Sequence, residues 1–204
     1  MPRRPGPPAT PEGWNQRYID GRLPWDTGRH DVHLEGVLDA YAPTGRALEV
    51  GCGTGTNSIY MAARGLSVTA LDVADTAIAM ARDKAHQAGV AVHFATTDFL
   101  TEPVSGAPFA FAYDRGCFHT QHTPEDRARF AGRLARLMDE GGVWHSLLGS
   151  TDGPLRQTGP PRRSALEVIT AVEPHFELLE LRSVSFDEDR FAEARAWVMV
   201  ARRR

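Results

Sequence analysis

The sequence predicts an α/β protein: a doubly wound, mostly parallel seven-stranded sheet with helices on both faces, preceded by an N-terminal helical cap. Three observations carry this. Strand and helix signals alternate from residue 46 onward, the pattern of parallel strands joined by crossover helices. The apolar run Ala47-Leu48-Glu49-Val50 opens directly into a turn with glycine at 51, 53 and 55. A second apolar run ends in an acid, Asp72, seventeen residues after the last of those glycines.

The elements follow in order. Strand one is expected over 46–51, a short helix from Asn57 to about Arg64, and strand two over 67–72. A helix from Asp75 carries Ala74, Ile78, Ala81 and Ala85 at helical spacing and is ended by Gly89. Strand three is expected over 91–95 and strand four over 109–113. Thr123 followed by Pro124 reads as a cap and first helical residue, with the helix running to about Asp139 and Gly141-Gly142 stopping it. Strand five is expected over 143–148, a Ser164-capped helix to about Val172, and two last strands over 176–186 and 196–201. The first eleven residues hold five prolines and lack the apolar core of a signal peptide, so residues 1–12 are expected as a tail. Residues 13–45 are expected as the cap and 46–204 as the core of a single domain.

Length and charge narrow the function classes. A chain of 204 residues suits one domain burying roughly 70% of the surface it would expose unfolded. With 23 basic and 26 acidic residues the net charge is −3, which gives no general attraction to nucleic acid. No apolar run approaches the ~20 residues that span a bilayer. Cys52 and Cys117 make neither a disulfide framework nor a metal-ligand spacing. These features lead us to expect a soluble cytoplasmic protein, monomeric by default, acting on a small molecule without nucleic-acid or membrane partners.

Alternating glycines after a strand let the backbone approach a ligand, and an acid ending the next strand can accept both hydroxyls of a ribose. Thr56 stands where a dinucleotide fingerprint has its third glycine, and Glu49 sits just ahead of the turn, which points to a cofactor without a pyrophosphate. A nicotinamide-dependent oxidoreductase would need a different first turn. The run Glu49-Val50-Gly51-Cys52-Gly53-Thr54-Gly55 resembles the first motif of class I S-adenosylmethionine-dependent methyltransferases. Thr97-Asp98-Phe99 is similar to that family's adenine-binding turn, and residues 109–114 to its fourth strand. The resemblance implies the Rossmann-like methyltransferase fold with an antiparallel pairing at one sheet edge. It also implies S-adenosylmethionine as cofactor and S-adenosylhomocysteine as product. On it, Glu49, Gly51, Gly53 and Gly55 surround the methionine part, Asp72 with Val73 beside it holds the ribose, and Asp98 with Phe99 binds adenine.

Two further runs resemble the thiopurine, thiol and halide methyltransferase group. Trp14-Asn15-Gln16-Arg17-Tyr18 and Leu23-Pro24-Trp25-Asp26 are similar to that group's N-terminal cap, which makes Tyr18 and Trp25 cofactor-contacting aromatics; ordinary packing is the alternative. Tyr113-Asp114-Arg115-Gly116 resembles the group's Asp-Arg-Gly segment, which places Arg115 between cofactor and acceptor with Asp114 orienting nearby groups. A purely structural ion pair from Arg115 to Asp114 or Glu49 is the alternative. His119 is a candidate general base, and His122 a weaker one. His30 and His33 have helical spacing but no accompanying cysteine or carboxylate cluster, so no metal is assigned. Thr158-Gly159-Pro160-Pro161 resembles the group's Gly-Pro-Pro element, with Arg156, Arg162 and Arg163 solvated or facing an anionic acceptor.

The expected activity is methyl transfer to a small molecule by in-line displacement, to a thiol or heteroaromatic sulfur first. The alternatives are methylation of a hydroxyl or ring nitrogen, or cofactor binding without catalysis. The acceptor's pKa decides between them: a thiolate favoured by Arg115 needs no separate base, whereas a phenol or ring nitrogen leans on His119.

Overall fold

A computed structural model describes residues 10–154, 159–186 and 194–204. The N-terminal segment forms α1 (Pro11–Ile19) and α2 (Val32–Tyr41). The core then runs β1 (Arg46–Val50), α3 (Thr56–Ala63), β2 (Ser67–Asp72), α4 (Asp75–Ala88), β3 (His93–Thr96), β4 (Phe109–Arg115), α5 (Pro124–Leu137), β5 (Met138–Gly149), α6 (Ala165–Val172), β6 (Phe176–Ser185) and β7 (Arg195–Arg203). The sheet order is β3-β2-β1-β4-β5-β7-β6. Strands β1 to β5 pair in parallel, and β7 runs antiparallel to both β5 and β6. The antiparallel strand is therefore one place in from the edge, which β6 occupies. The strand order reverses between β1 and β4, and there the carboxyl ends open a crevice of the kind that binds ligands in doubly wound sheets.

Local chemistry sets the helix ends. Thr10 Oγ1 accepts the N–H of Gly13 at 3.2 Å, Asp31 accepts that of His33 at 3.0 Å, and Thr123 Oγ1 accepts that of Asp126 at 3.1 Å. Ser164 and Glu167 form a reciprocal capping box. Gly89 ends α4 in the left-handed region. Helix α1 starts at Pro11, inside the stretch expected as a tail, because proline at the first helical position costs no hydrogen bond. Residues 1–9 of that expected tail lie outside the described residues.

Two departures from expectation bear on the site. Helix α5 stops at Leu137, and Met138 already pairs with Phe109, so Gly141-Gly142 lies inside β5 instead of ending a helix. The register shifts between Phe109 and Phe111, and a side chain at 142 would meet the carbonyl oxygens of Asp139 at 2.9 Å and of Ala110 and Phe109 at 3.2 Å. Glycine there permits a bulge. Strand β4 continues to Arg115, where it pairs with Leu147. The second departure is α2: Leu34, Val37 and Leu38 are buried in one core with Phe111, Tyr113 and Val198, so this part of the expected cap is a core helix on the sheet. Tyr113 Oη donates to Asp31 at 2.8 Å, and the Asp31 N–H donates to Asn57 at 2.9 Å, pinning the start of α2 beside the end of β4.

The opposite core is aromatic. Phe130 lies 4.7 Å from Phe99, 5.5 Å from Phe118 and 5.9 Å from Trp144 between ring centroids, and Trp144 lies 5.3 Å from Phe176. Phe130→Ala leaves a void bounded by three rings, and we expect a loss of about 3–5 kcal/mol of folding stability. Chemical denaturation checks this; a loss of under about 1 kcal/mol would show that the rings repack.

Candidate active site

The glycine turn is fixed by two strands at once. The N–H groups of Gly51 and Cys52 both donate to the Leu71 carbonyl at 2.8 Å, which ties the end of β1 to β2. The Gly53 N–H donates to Asp72 Oδ2 at 2.9 Å and the Ala74 N–H to Oδ1 at 3.0 Å. Gly51, Gly53 and Gly55 have φ of +73°, +54° and +78°. A side chain at 51 would come 3.1 Å from Cys117 Cβ, and one at 53 would come 3.1 Å from Tyr18 Oη. A side chain at 55 would press within 2.9 Å of Ala81 and 3.0 Å of the Phe94 ring. Gly55 is thus required by packing against α4 and β3.

Asp72 is 8% exposed. Each of its oxygens takes one backbone N–H and keeps lone pairs for a further donor, the arrangement that a vicinal diol requires. Burial raises its pKa, against the pull of the Ala74 and Gly53 amides. Tyr18 is buried above this group, its phenol pKa raised by burial first and by Asp72 second. Trp25 meets Tyr18 at 6.1 Å and Trp14 at 5.7 Å, both edge to face, and the Arg17 guanidinium lies 5.8 Å over the Trp25 ring. Val73 follows Asp72, half-buried. A carboxylate, a backbone cradle without Cβ atoms at 51 and 53, and an aromatic cover fit a nucleoside carrying a sulfonium.

Glu49 lies at the end of β1, just ahead of the turn. Its carboxyl is buried against α3, where Ser58 Oγ donates to it. Burial pushes its pKa up to about 8. The Phe99 ring is core, tilted against Phe130 with the Arg133 guanidinium 5.7 Å over it. Asp98 stands half-buried beyond β3, its carboxylate accepting the Leu100 N–H and the Thr101 hydroxyl, each at 2.8 Å.

At the end of β4, Asp114 accepts the N–H groups of Cys117 and Phe118 at 3.1 and 2.8 Å and the Trp144 indole N–H at 3.1 Å. It shapes the loop and is fully buried, so it does not meet a ligand; burial lifts its pKa to about 6. Arg115 pairs with neither Asp114 nor Glu49. Its Nη1 donates to the Trp25 carbonyl at 3.1 Å, and its guanidinium carbon lies 5.8 Å over the Phe186 ring. His119 is 5% exposed, and its Nδ1 accepts the Gly149 N–H at 3.0 Å. A backbone amide can only donate, so the ring carries its proton on Nε2 and the Nδ1 lone pair is committed. His122 is exposed, and its carbonyl receives Arg127.

The remaining candidates scatter. His30 stacks on Tyr60, while His33 faces the Ser185 carbonyl. Among the described residues no cluster suits a metal. Arg162, half-buried, donates to the carbonyl of Ser150 at 2.9 Å, and Arg163 is buried with Nη2 on the Gln121 carbonyl at 2.9 Å, so both brace loops. Arg156 and Thr158 lie outside the described residues.

Several site residues escaped the sequence reading. Thr54 Oγ1 donates to Asp26 at 2.7 Å and accepts from Lys84 Nζ at 2.6 Å, and Asn15 Oδ1 accepts the Thr76 N–H at 2.9 Å. With the Arg115–Trp25 bond, these strap the N-terminal segment across the carboxyl ends of the strands. The only signal was the polar character of Thr54 and Asp26 inside two motifs already singled out.

With this geometry in hand, comparison with known proteins gives a consistent picture. The profile of a methyltransferase domain matches residues 47–142. A probable thiol methyltransferase 2 of Arabidopsis thaliana is 31% identical over 153 residues, 73% of this chain and 66% of the relative's own length. A thiocyanate methyltransferase 1 of Brassica oleracea is 29% identical over 185 residues, 88% of this chain and 78% of that one. A solved structure from work on the conversion of a disulfide bond into a thioacetal group during echinomycin biosynthesis superposes with a TM-score of 0.80 at 25% identity, covering 94% of this chain and 91% of that one.

The buried acids set a pH dependence. A carboxyl held at about 8 in the folded chain, against an ordinary 4.5, binds more protons folded than unfolded between those values. Its stabilising contribution is therefore complete below about pH 4.5 and is lost as pH rises toward about 8. Asp114 adds the same trend up to about 6. In Glu49→Gln the fall in melting temperature between about pH 5 and 8 should be shallower than in the parent protein. Parallel slopes would mean that Glu49 is ionised in the folded state.

Proposed function

We propose that this chain, which belongs to the class I S-adenosylmethionine-dependent methyltransferases, methylates a small soft nucleophile, a thiol or heteroaromatic sulfur first. Bound S-adenosylmethionine supplies an electrophilic methyl group on a sulfonium, and the acceptor's lone pair displaces it in line. Asp72 holds the ribose hydroxyls, the turn at Gly51 and Gly53 admits the cofactor to the backbone, and Tyr18 and Trp25 cover it. The Asp72 carboxylate at the cofactor side favours a cationic ligand, while Arg115 presents the opposite charge to the acceptor side.

The observation that carries the choice of sulfur is the Gly149 N–H on His119 Nδ1. With that lone pair committed, the candidate for deprotonating a phenol or ring nitrogen is a hydrogen-bonded structural ring. A thiol with a pKa near ~8.5 reaches its nucleophilic form with only a cation beside it, and Arg115 provides that cation. The relatives named for thiol and thiocyanate methylation support the same reading. The protein's work is then alignment and exclusion of water, for which well-oriented reactants reach effective molarities of ~10⁵–10⁸ M.

The test is transfer of labelled methyl from S-adenosylmethionine to a panel of thiols, thiopurines, phenols and N-heterocycles. Sulfur products are expected; products only on oxygen or nitrogen would overturn the sulfur assignment. Asp72→Ala should weaken cofactor binding at least tenfold by calorimetry, on the scale of about 1–3 kcal/mol for unmade buried hydrogen bonds. Arg115→Ala should lower kcat by more than it changes cofactor affinity, and the reverse pattern would move Arg115 to the cofactor.

A further inference from the structure

Phe186 belongs to no motif, yet it packs against Arg115 at the end of β4 and His119 in the loop that follows. It follows β6, and its N–H donates to the Ala194 carbonyl at 2.9 Å, so β7 holds its backbone. Its ring is 9% exposed and has three neighbours of different kinds. The Arg115 guanidinium lies 5.8 Å over the ring centroid. The His119 ring meets it edge to face at 5.9 Å. A side chain at Gly149 would come 3.6 Å from its Cε2. His119 is itself locked by the Gly149 amide, so the end of β5, the loop after β4 and the end of β6 converge on one aromatic face.

Arg115 needs such a support. Among the described residues it has no carboxylate partner: Asp114 is taken by Cys117, Phe118 and Trp144, and Glu49 by Ser58. A carboxylate would neutralise the guanidinium and withdraw it from a ligand, whereas an aromatic face holds it without cancelling its charge. One neutral acceptor, the Trp25 carbonyl, completes its restraint from the opposite side.

We propose that Phe186 is a positioning residue for Arg115, holding the guanidinium unpaired and aimed at the acceptor by a cation–π contact that His119 and Gly149 keep in place. The inference rests on the methyltransferase reading of the site only for its kinetic consequence; the contact itself is testable without turnover.

Two measurements decide it. In solution NMR of the parent protein, the Arg115 Nε–H resonance, assigned by its loss in Arg115→Lys, should be shifted upfield by the Phe186 ring current. Phe186→Leu should abolish that shift and Phe186→Trp should keep it. An Arg115 resonance that Phe186→Leu leaves in place would overturn the proposal, whatever the enzyme's acceptor. In turnover with a thiol, Phe186→Leu should lower kcat roughly tenfold, the scale of a partly desolvated cation–π contact, with S-adenosylhomocysteine affinity unchanged within about twofold. Phe186→Trp should restore most of the rate. Equal losses in both variants, or a matching loss of cofactor affinity, would make Phe186 a packing residue only. Phe186→Met serves in place of Phe186→Leu if the latter does not fold. A parent enzyme without turnover on any sulfur acceptor would count against the activity reading and leave the NMR result to judge the contact.

Discussion

The structure depends on how one turn is tied between two strands. The Leu71 carbonyl takes the amides of Gly51 and Cys52, and the Asp72 carboxylate takes that of Gly53, so the backbone after β1 is stapled to the end of β2. Those three bonds do several things together. They satisfy amides that a fully buried strand end would otherwise orphan. They require the left-handed backbone that glycine supplies at 51 and 53. They also orient the Asp72 carboxylate, since each of its oxygens is anchored by a backbone amide from a different side. Helix α3 can start only after this turn, and α4 starts where Ala74 leaves Asp72.

Electrostatics divide the crevice. Asp72, Asp114 and Glu49 lie in or beneath the turn, buried enough that each carboxyl pKa is raised. Such a region tolerates little further negative charge. On the other side, Arg115 crosses from β4 toward the N-terminal segment, bonded to the Trp25 carbonyl and laid over Phe186. The acid ending β2 and the cation ending β4 thus flank the end of β1. The N-terminal straps through Asn15, Asp26 and Trp25 cross this region.

What the sequence made legible was what is decided locally. The turn after β1, the acid ending β2, the glycine ending α4 and the Ser164 cap are short-range patterns, and each stands within a residue or so of where the pattern put it. What was not legible shares a cause. Gly141-Gly142 looks the same as a helix stop or as a strand bulge until Met138 is seen pairing with Phe109. Glu49 and Phe99 sit in recognisable motifs, but whether a side chain faces a ligand or a covering helix depends on α3 and α5, which pack from elsewhere in the chain. His119 resembles a base until the Gly149 amide, thirty residues on, takes its lone pair. Phe186 carries no local signature at all, because its role comes from Arg115, His119 and Gly149 meeting around it.

The central claim is that the site aligns an acceptor that is already nucleophilic and contributes no base of its own. The pH dependence of kcat/KM across a series of thiols of graded acidity tests it directly. If the claim holds, the alkaline midpoint moves with each thiol's own pKa, because only the ionisation of the acceptor is being read. A midpoint that stays near about 6.5 for every thiol would reveal a histidine-like base in the protein and contradict the account.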